Sequence, residues 1–305
     1  MNRRLFDRNL RIFTSKVYYG FLSLILSACG SSNSDKPIES RETGFSADYN
    51  PPGSNFDNPN NDDPNFKVLE PILTNPYWVS SLEMDNGESV VNEFLLQYDR
   101  TIKFSFPTEA PQYLSIPITG WAPASENMVS ASREIFLKLE DILNVKIEES
   151  ITSAGLNNFA IARSIQATTS GFSYFPNNYY ELGSDIFISK DFSEPLILPS
   201  GYTNFDYETL LHEIGHALGL KHPFEADRNN LSVLSSYEDQ TKYTAMSYDD
   251  DPSTFDGTFR ALDWMTLTKL YGVNSLFMPQ NDVYTFDNTS GIFIIDGSGL
   301  DTISS

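Results

Sequence analysis

Ile102, Phe104 and Phe106 alternate with Lys103 and Ser105, and this two-residue period predicts a half-buried strand. Downstream the period lengthens. Met128, Val129, Ile135, Phe136, Leu139, Ile142 and Leu143 recur at helical steps, which predicts an amphipathic helix from an N-cap at Ser125 to about Asn144. Two more strands are predicted over 159–165 and 185–189. Between them, 171–176 (GFSYFP) reads as an exposed extended segment in which Pro176 limits further pairing. A second helix begins near Asp206 and turns Leu210, Ile214, Ala217 and Leu218 inward. A third starts at Asp263, read as its N-cap, and stops at Gly272, with Leu267, Leu270 and Tyr271 available for packing. Strand, helix, two strands and a buried helix predict an α/β (α+β) fold: a twisted mixed sheet with helices on one side and the second helix beneath a cleft.

Order begins near Val68. Ser, Asn, Asp, Pro and Gly dominate residues 30 to about 66, with almost no apolar period, so a disordered tether is expected there. Ahead of it, Arg3, Arg4, Arg8, Arg11 and Lys16 precede an apolar run from Val17 to Leu26 that is too short to span a bilayer comfortably. Leu26-Ser27-Ala28-Cys29-Gly30 then resembles the lipobox of bacterial lipoproteins. That resemblance implies cleavage after residue 28, acylation of Cys29 and attachment to a membrane through the lipid, with Gly30 fitting outer-membrane sorting. Cys29 is the single cysteine of 305 residues, so no disulfide is expected.

The net charge is -21, and loss of residues 1–28 makes it more negative. Such a surface would repel a phosphate backbone, which argues against nucleic acid as a partner and reads mainly as a solubility device. A monomer is expected.

All three histidines lie within one eleven-residue stretch, His212-Glu213-Ile214-Gly215-His216-Ala217-Leu218-Gly219-Leu220-Lys221-His222. On a helix His212 and His216 stack on one face. Gly219 can then end the helix in a left-handed turn that returns His222 as a third nitrogen. Three neutral imidazoles with one open position describe a catalytic zinc site, whereas four protein ligands would close a structural one. Glu213 is placed to address a metal-bound water.

The extended motif HExxHxxGxxH resembles the signature of the metzincin metalloendopeptidases, and Tyr243-Thr244-Ala245-Met246-Ser247-Tyr248 resembles their Met-turn. Pro223 after His222 and the triplet Met246-Ser247-Tyr248 are similar to the serralysins, secreted bacterial zinc proteases. Astacins would carry Glu after the third histidine, and matrixins lack the tyrosine. The resemblance spans about residues 90–305. It implies zinc held by His212, His216 and His222, Glu213 as general base, and Met246 as the floor beneath the ligands. Tyr248 is implied as a further zinc-associated group that swings away to stabilise the oxyanion. The implied substrates are proteins or peptides, bound along the 171–176 segment by strand addition.

The resemblance divides the chain into a lipoprotein signal (1–28), a linker (29–66), a metzincin zinc-protease domain with a C-terminal subdomain (67–275) and the start of a calcium-binding, RTX-like β-roll (276–305). Within the last, Asp296-Gly297-Ser298-Gly299-Leu300-Asp301-Thr302-Ile303-Ser304 is similar to one RTX nonapeptide. Asp296, Gly297, Gly299 and Asp301 are its calcium candidates, the alternative being a hydrophobic strand with a glycine-rich turn. Serralysins carry several such repeats and a C-terminal secretion signal, so this chain is expected to be a lipoprotein variant or to be truncated. Either way the expected location is the outer membrane, the cell surface or the extracellular space. The competing reading is a non-catalytic surface lipoprotein that uses the fold for peptide binding or adhesion; an intact Glu213 speaks against it.

Overall fold

The computed structural model describes residues 76–304 apart from 86, 92–94, 97–98, 115–117, 178–180, 228–229 and 286–292. The expected signal segment, Cys29 and the 29–66 linker lie outside these residues. Two short helices, α1 (Tyr77–Ser80) and α2 (Gly87–Val90), precede strand β1 (Thr101–Ser105). Then come β2 (Ala122–Pro123), α3 (Glu126–Ile142), β3 (Lys146–Glu149), β4 (Asn158–Ser164), β5 (Gly171–Ser173) and β6 (Ile186–Ser189). Helices α4 (Phe205–Ala217) and α5 (Ala261–Tyr271) follow, and β7 (Val283–Thr285) and β8 (Thr302–Ser304) close the described chain.

The strands β3-β1-β4-β6-β5 lie in that order, parallel except for β5, which runs antiparallel to β6. β2 adds an antiparallel pairing on β4. The expected mixed sheet is therefore present. Its pleat explains the alternation in β1, where Ile102 and Phe104 are buried and Lys103 is exposed. Phe104 pairs with Phe159 across β1 and β4 and stacks on Phe136 of α3 at 4.3 Å between ring centroids. α3 starts where Ser125 accepts a hydrogen bond from Met128 N, and buries Met128, Ala131, Ile135, Phe136 and Leu139 at three- and four-residue steps. One core joins these residues to Leu210, Leu211 and Ile214 of α4 and to Leu267, Leu270 and Tyr271 of α5. A smaller cluster, Ala162, Tyr174, Leu182 and Phe187 with Tyr113 and Trp121 packed against it, is formed separately from that core. No helix among the described residues is long and apolar enough to cross a membrane.

Several boundaries differ from the expectation. α4 begins at Phe205, within one residue of the expected start, where Asn204 caps it by accepting from Tyr207 N. Asp263 is not the N-cap of α5 but its third residue; Arg260 is the cap, and the Asp263 carboxylate reaches back to accept from Arg260 N at 2.9 Å. Phe106 falls outside β1, and Ile165 falls beyond β4 and is exposed. β3 had no apolar alternation to announce it, since its sequence KIEE follows a partly exposed edge. The 171–176 segment is less exposed than expected: Gly171, Tyr174 and Pro176 are buried, Gly171 against Glu213 and Tyr174 against Phe187 of the neighbouring β6.

α4 is held from two sides. Glu208 forms a buried ion pair with Arg260 at 2.7 Å, and Tyr271 donates to Leu218 O at 2.8 Å. From the N-terminal side, Met84 N donates to Gly219 O and Lys221 N to Leu82 O, so residues 82–84 pair with the turn that ends the helix.

Candidate metal centre

α4 carries His212 and Glu213 and, one helical turn on, His216, all of them buried. The helix ends as a left-handed cap: Gly219 has φ +96°, Gly219 N donates to His216 O, and Leu220 N reaches back to Gly215 O. The reversal brings His222, with no exposed surface, beside the other two rings.

The outer nitrogens define the state of these rings. His212 Nδ1 lies 2.8 Å from Ala245 O and His216 Nδ1 lies 2.7 Å from Leu220 O. A carbonyl only accepts, so both Nδ1 atoms carry the proton and both Nε2 atoms present lone pairs. His222 Nδ1 likewise donates to Glu225 Oε2 at 3.1 Å. Burial keeps all three rings neutral, holding His212 down to about 4 and the other two well below the usual histidine range.

Three lone pairs therefore face one another, with His222 Nε2 lying 3.1 Å from His212 Nε2 and 3.0 Å from His216 Nε2. No hydrogen bond can join such atoms; a cation can. Ligands at about 2.0–2.1 Å around a tetrahedral zinc are roughly 3.3 Å apart, close to this spacing. The donor set fits zinc.

Tyr248, 45% exposed, donates its hydroxyl to His222 Nε2 at 2.8 Å and so stands at the same point as the histidines. Met246 is fully buried, and its sulfur would lie 2.6 Å from a Cβ on Gly215, between His212 and His216 in the helix. Glu213 is pushed up to about 8 by burial, against the opposing hydrogen bond that Ser173 donates to Oε2 at 2.9 Å. A base poised near neutrality suits proton transfer. The sequence-predicted residues His212, Glu213, His216, His222, Met246 and Tyr248 thus come together.

Five residues contribute here in ways that the sequence does not announce. Ser173 and Gly171 on β5 flank Glu213, and a Cβ on Gly171 would sit 2.7 Å from Glu213 Cγ. Glu225 and Phe224, the latter stacked on His222 at 5.0 Å, follow the motif directly. Asp263 accepts from Ala245 N at 2.7 Å and from Thr244 Oγ1 at 2.6 Å, fixing the turn whose carbonyl orients His212. Only the three-residue spacing of Glu225 from His222 was visible as a signal.

Near the C-terminus β7 and β8 run parallel, and carboxylate oxygens of Asp282, Asp296 and Asp301 come within 4.8 Å of one another. Such a group could hold a metal ion. Two of these carboxylates also accept hydrogen bonds within the protein: Asp301 from Asp282 N, and Asp296 from Tyr284 and Ser298 N. Of the four calcium candidates, Asp296 and Asp301 lie in this group, with Asp282 as an unforeseen third member. Gly297 and Gly299 instead pack against the carbonyls of Asn274 and Gln280, where a Cβ would collide.

No protein-family model matches the chain. It is 25% identical to a protein named serralysin from Photorhabdus sp. (strain Az29) over 62% of this chain and 42% of that protein. Serralysin from Proteus mirabilis is 38% identical over 29% of the chain and 20% of its own length. Serralysin C from Dickeya chrysanthemi is 29% identical over 40% and 27%. The chain spans less than half the length of these curated relatives, and its relationship to the serralysins is a distant one.

Proposed function

We propose that the chain is a zinc-dependent metalloendopeptidase of the serralysin type, acting on extended protein or peptide substrates. The observation that carries this reading is the meeting of three buried, neutral imidazole lone pairs, two of them from the helix that also carries the buried Glu213. The serralysin relatives support a peptidase. Zinc held by His212, His216 and His222 would supply Lewis acidity toward the scissile carbonyl and a bound water with pKa near about 7.

The protein's own groups do the rest. Glu213 takes the proton of the attacking water and passes it to the leaving amine. Ser173 holds the Oε2 side of that carboxylate, and Gly171 leaves it room. The Tyr248 hydroxyl, an O–H donor at the edge of the site, serves the developing oxyanion once it leaves His222. β5 ends the sheet, and an extended peptide can add to its outer edge by main-chain hydrogen bonds. The protein works as a monomer, tethered through lipid on Cys29 to the outer membrane or cell surface.

Zinc analysis and cleavage of an unstructured protein test the reading. The wild type should hold one zinc per chain and cleave, and Glu213→Gln should keep the metal while losing about 10²–10⁴-fold in kcat. Stoichiometric zinc with no cleavage by the wild type would instead favour a peptide-binding lipoprotein.

A further inference from the structure

The three ligand rings are backed by unlike partners. His212 and His216 donate from Nδ1 to main-chain carbonyls, which the fold holds in place. His222 alone donates to a carboxylate, that of Glu225. A carboxylate behind an imidazole fixes the ring and raises the basicity of the nitrogen that faces the metal.

Glu225 sits outside any helix or strand, so something must hold it there. Lys221 does. This lysine is only 3% exposed, and its Nζ donates to Glu225 O at 2.6 Å, Ser232 O at 2.9 Å and His222 O at 3.4 Å. An ammonium has three protons, and here all three meet carbonyls. The backbone amide of Lys221 is tied in turn to Leu82 O. Peptide hydrolysis makes no use of this buried cation, and its bonds all converge on the loop that carries the third ligand. Phe224 closes the outer face of His222, its ring within 8° of parallel to the imidazole.

We propose that Lys221 and Glu225 are positioning residues for the third metal ligand: Lys221 pins residues 221–225 against Ser232 so that the Glu225 carboxylate orients His222 and strengthens its hold on zinc. This rests on the zinc-peptidase reading above. The full chain and its Glu225→Gln and Lys221→Met variants would be titrated with zinc against a chelator, with thermal unfolding of the metal-free forms and the visible spectrum of the cobalt-substituted forms as companions.

Glu225→Gln should weaken zinc about 10–100-fold and shift the cobalt bands while the metal-free Tm stays at the wild-type value. Glu225→Asp should recover part of the lost affinity. Lys221→Met should weaken zinc in the same direction; if it does not fold, the Glu225 variants decide. Unchanged zinc affinity in Glu225→Gln would overturn this inference alone. A wild type that binds no zinc would overturn the peptidase reading and this inference with it.

Discussion

Gly171 has no side chain because Glu213 fills the space where one would lie. A Cβ would be 2.7 Å from Cγ and 2.9 Å from Oε1 of Glu213, the proposed general base, so Gly171→Ala must displace that carboxylate. Misplacement of a catalytic group by about 1 Å costs on the order of 10²-fold. The variant should therefore keep stoichiometric zinc and lose about 10²-fold in kcat, as metal analysis and steady-state kinetics would show. Wild-type kcat would mean that Glu213 has other room. Gly215 answers to the same logic, with the sulfur of Met246 lying where its Cβ would be. Nothing local marks either glycine. Gly219 differs, because its positive φ serves a helix end that the residues on both sides already announce.

Helix α5 shows how an end built for one purpose serves another. Asp263 accepts from Arg260 N within its own first turn and from Thr244 and Ala245 across to the Met-turn, and Ala245 O receives His212. Burial lifts Asp263 from its ordinary 3.8 to about 6, against the opposing hydrogen bonds from Ala245, Thr244 and Arg260. Between those values the folded chain keeps a proton that the unfolded chain has lost. The group's contribution to stability is thus present in full below 3.8 and is lost as pH rises through about 6. In denaturant titrations, the stability of the wild type relative to Asp263→Asn should decline from pH 4 to pH 7; a pH-independent gap would exclude this titration. The start of α3 was legible, since Ser125 stands directly before a helical apolar period. Asp263 was misread because it was the one good capping residue in view, while the residue that caps, Arg260, has no such signature.

Beyond the sheet and its helices the chain carries an N-terminal stretch whose cysteine decides where the peptidase would work. If Cys29 is acylated, the full-length protein expressed in a bacterium should partition with membranes and incorporate labelled fatty acid. Cys29→Ser should abolish both while cleavage by the solubilised enzyme persists. Label retained by the variant would rule out the tether. The helical repeat of 3.6 residues is local covalent geometry, and it alone sets His212 and His216 on one face with Glu213 between them in sequence. The return of His222 could be read in the same way, from a glycine that ends a helix. Partners brought from a distance were not legible: Ser173 arrives with the last strand of the sheet, Ala245 and Asp263 with the Met-turn and α5, and Leu82 with the N-terminal segment. Strand order and packing against a shared core put them there, and those depend on contacts between residues far apart in the chain. Spacing along the backbone thus named the three histidines that meet, while the folding of separate segments onto one helix chose the groups that orient them.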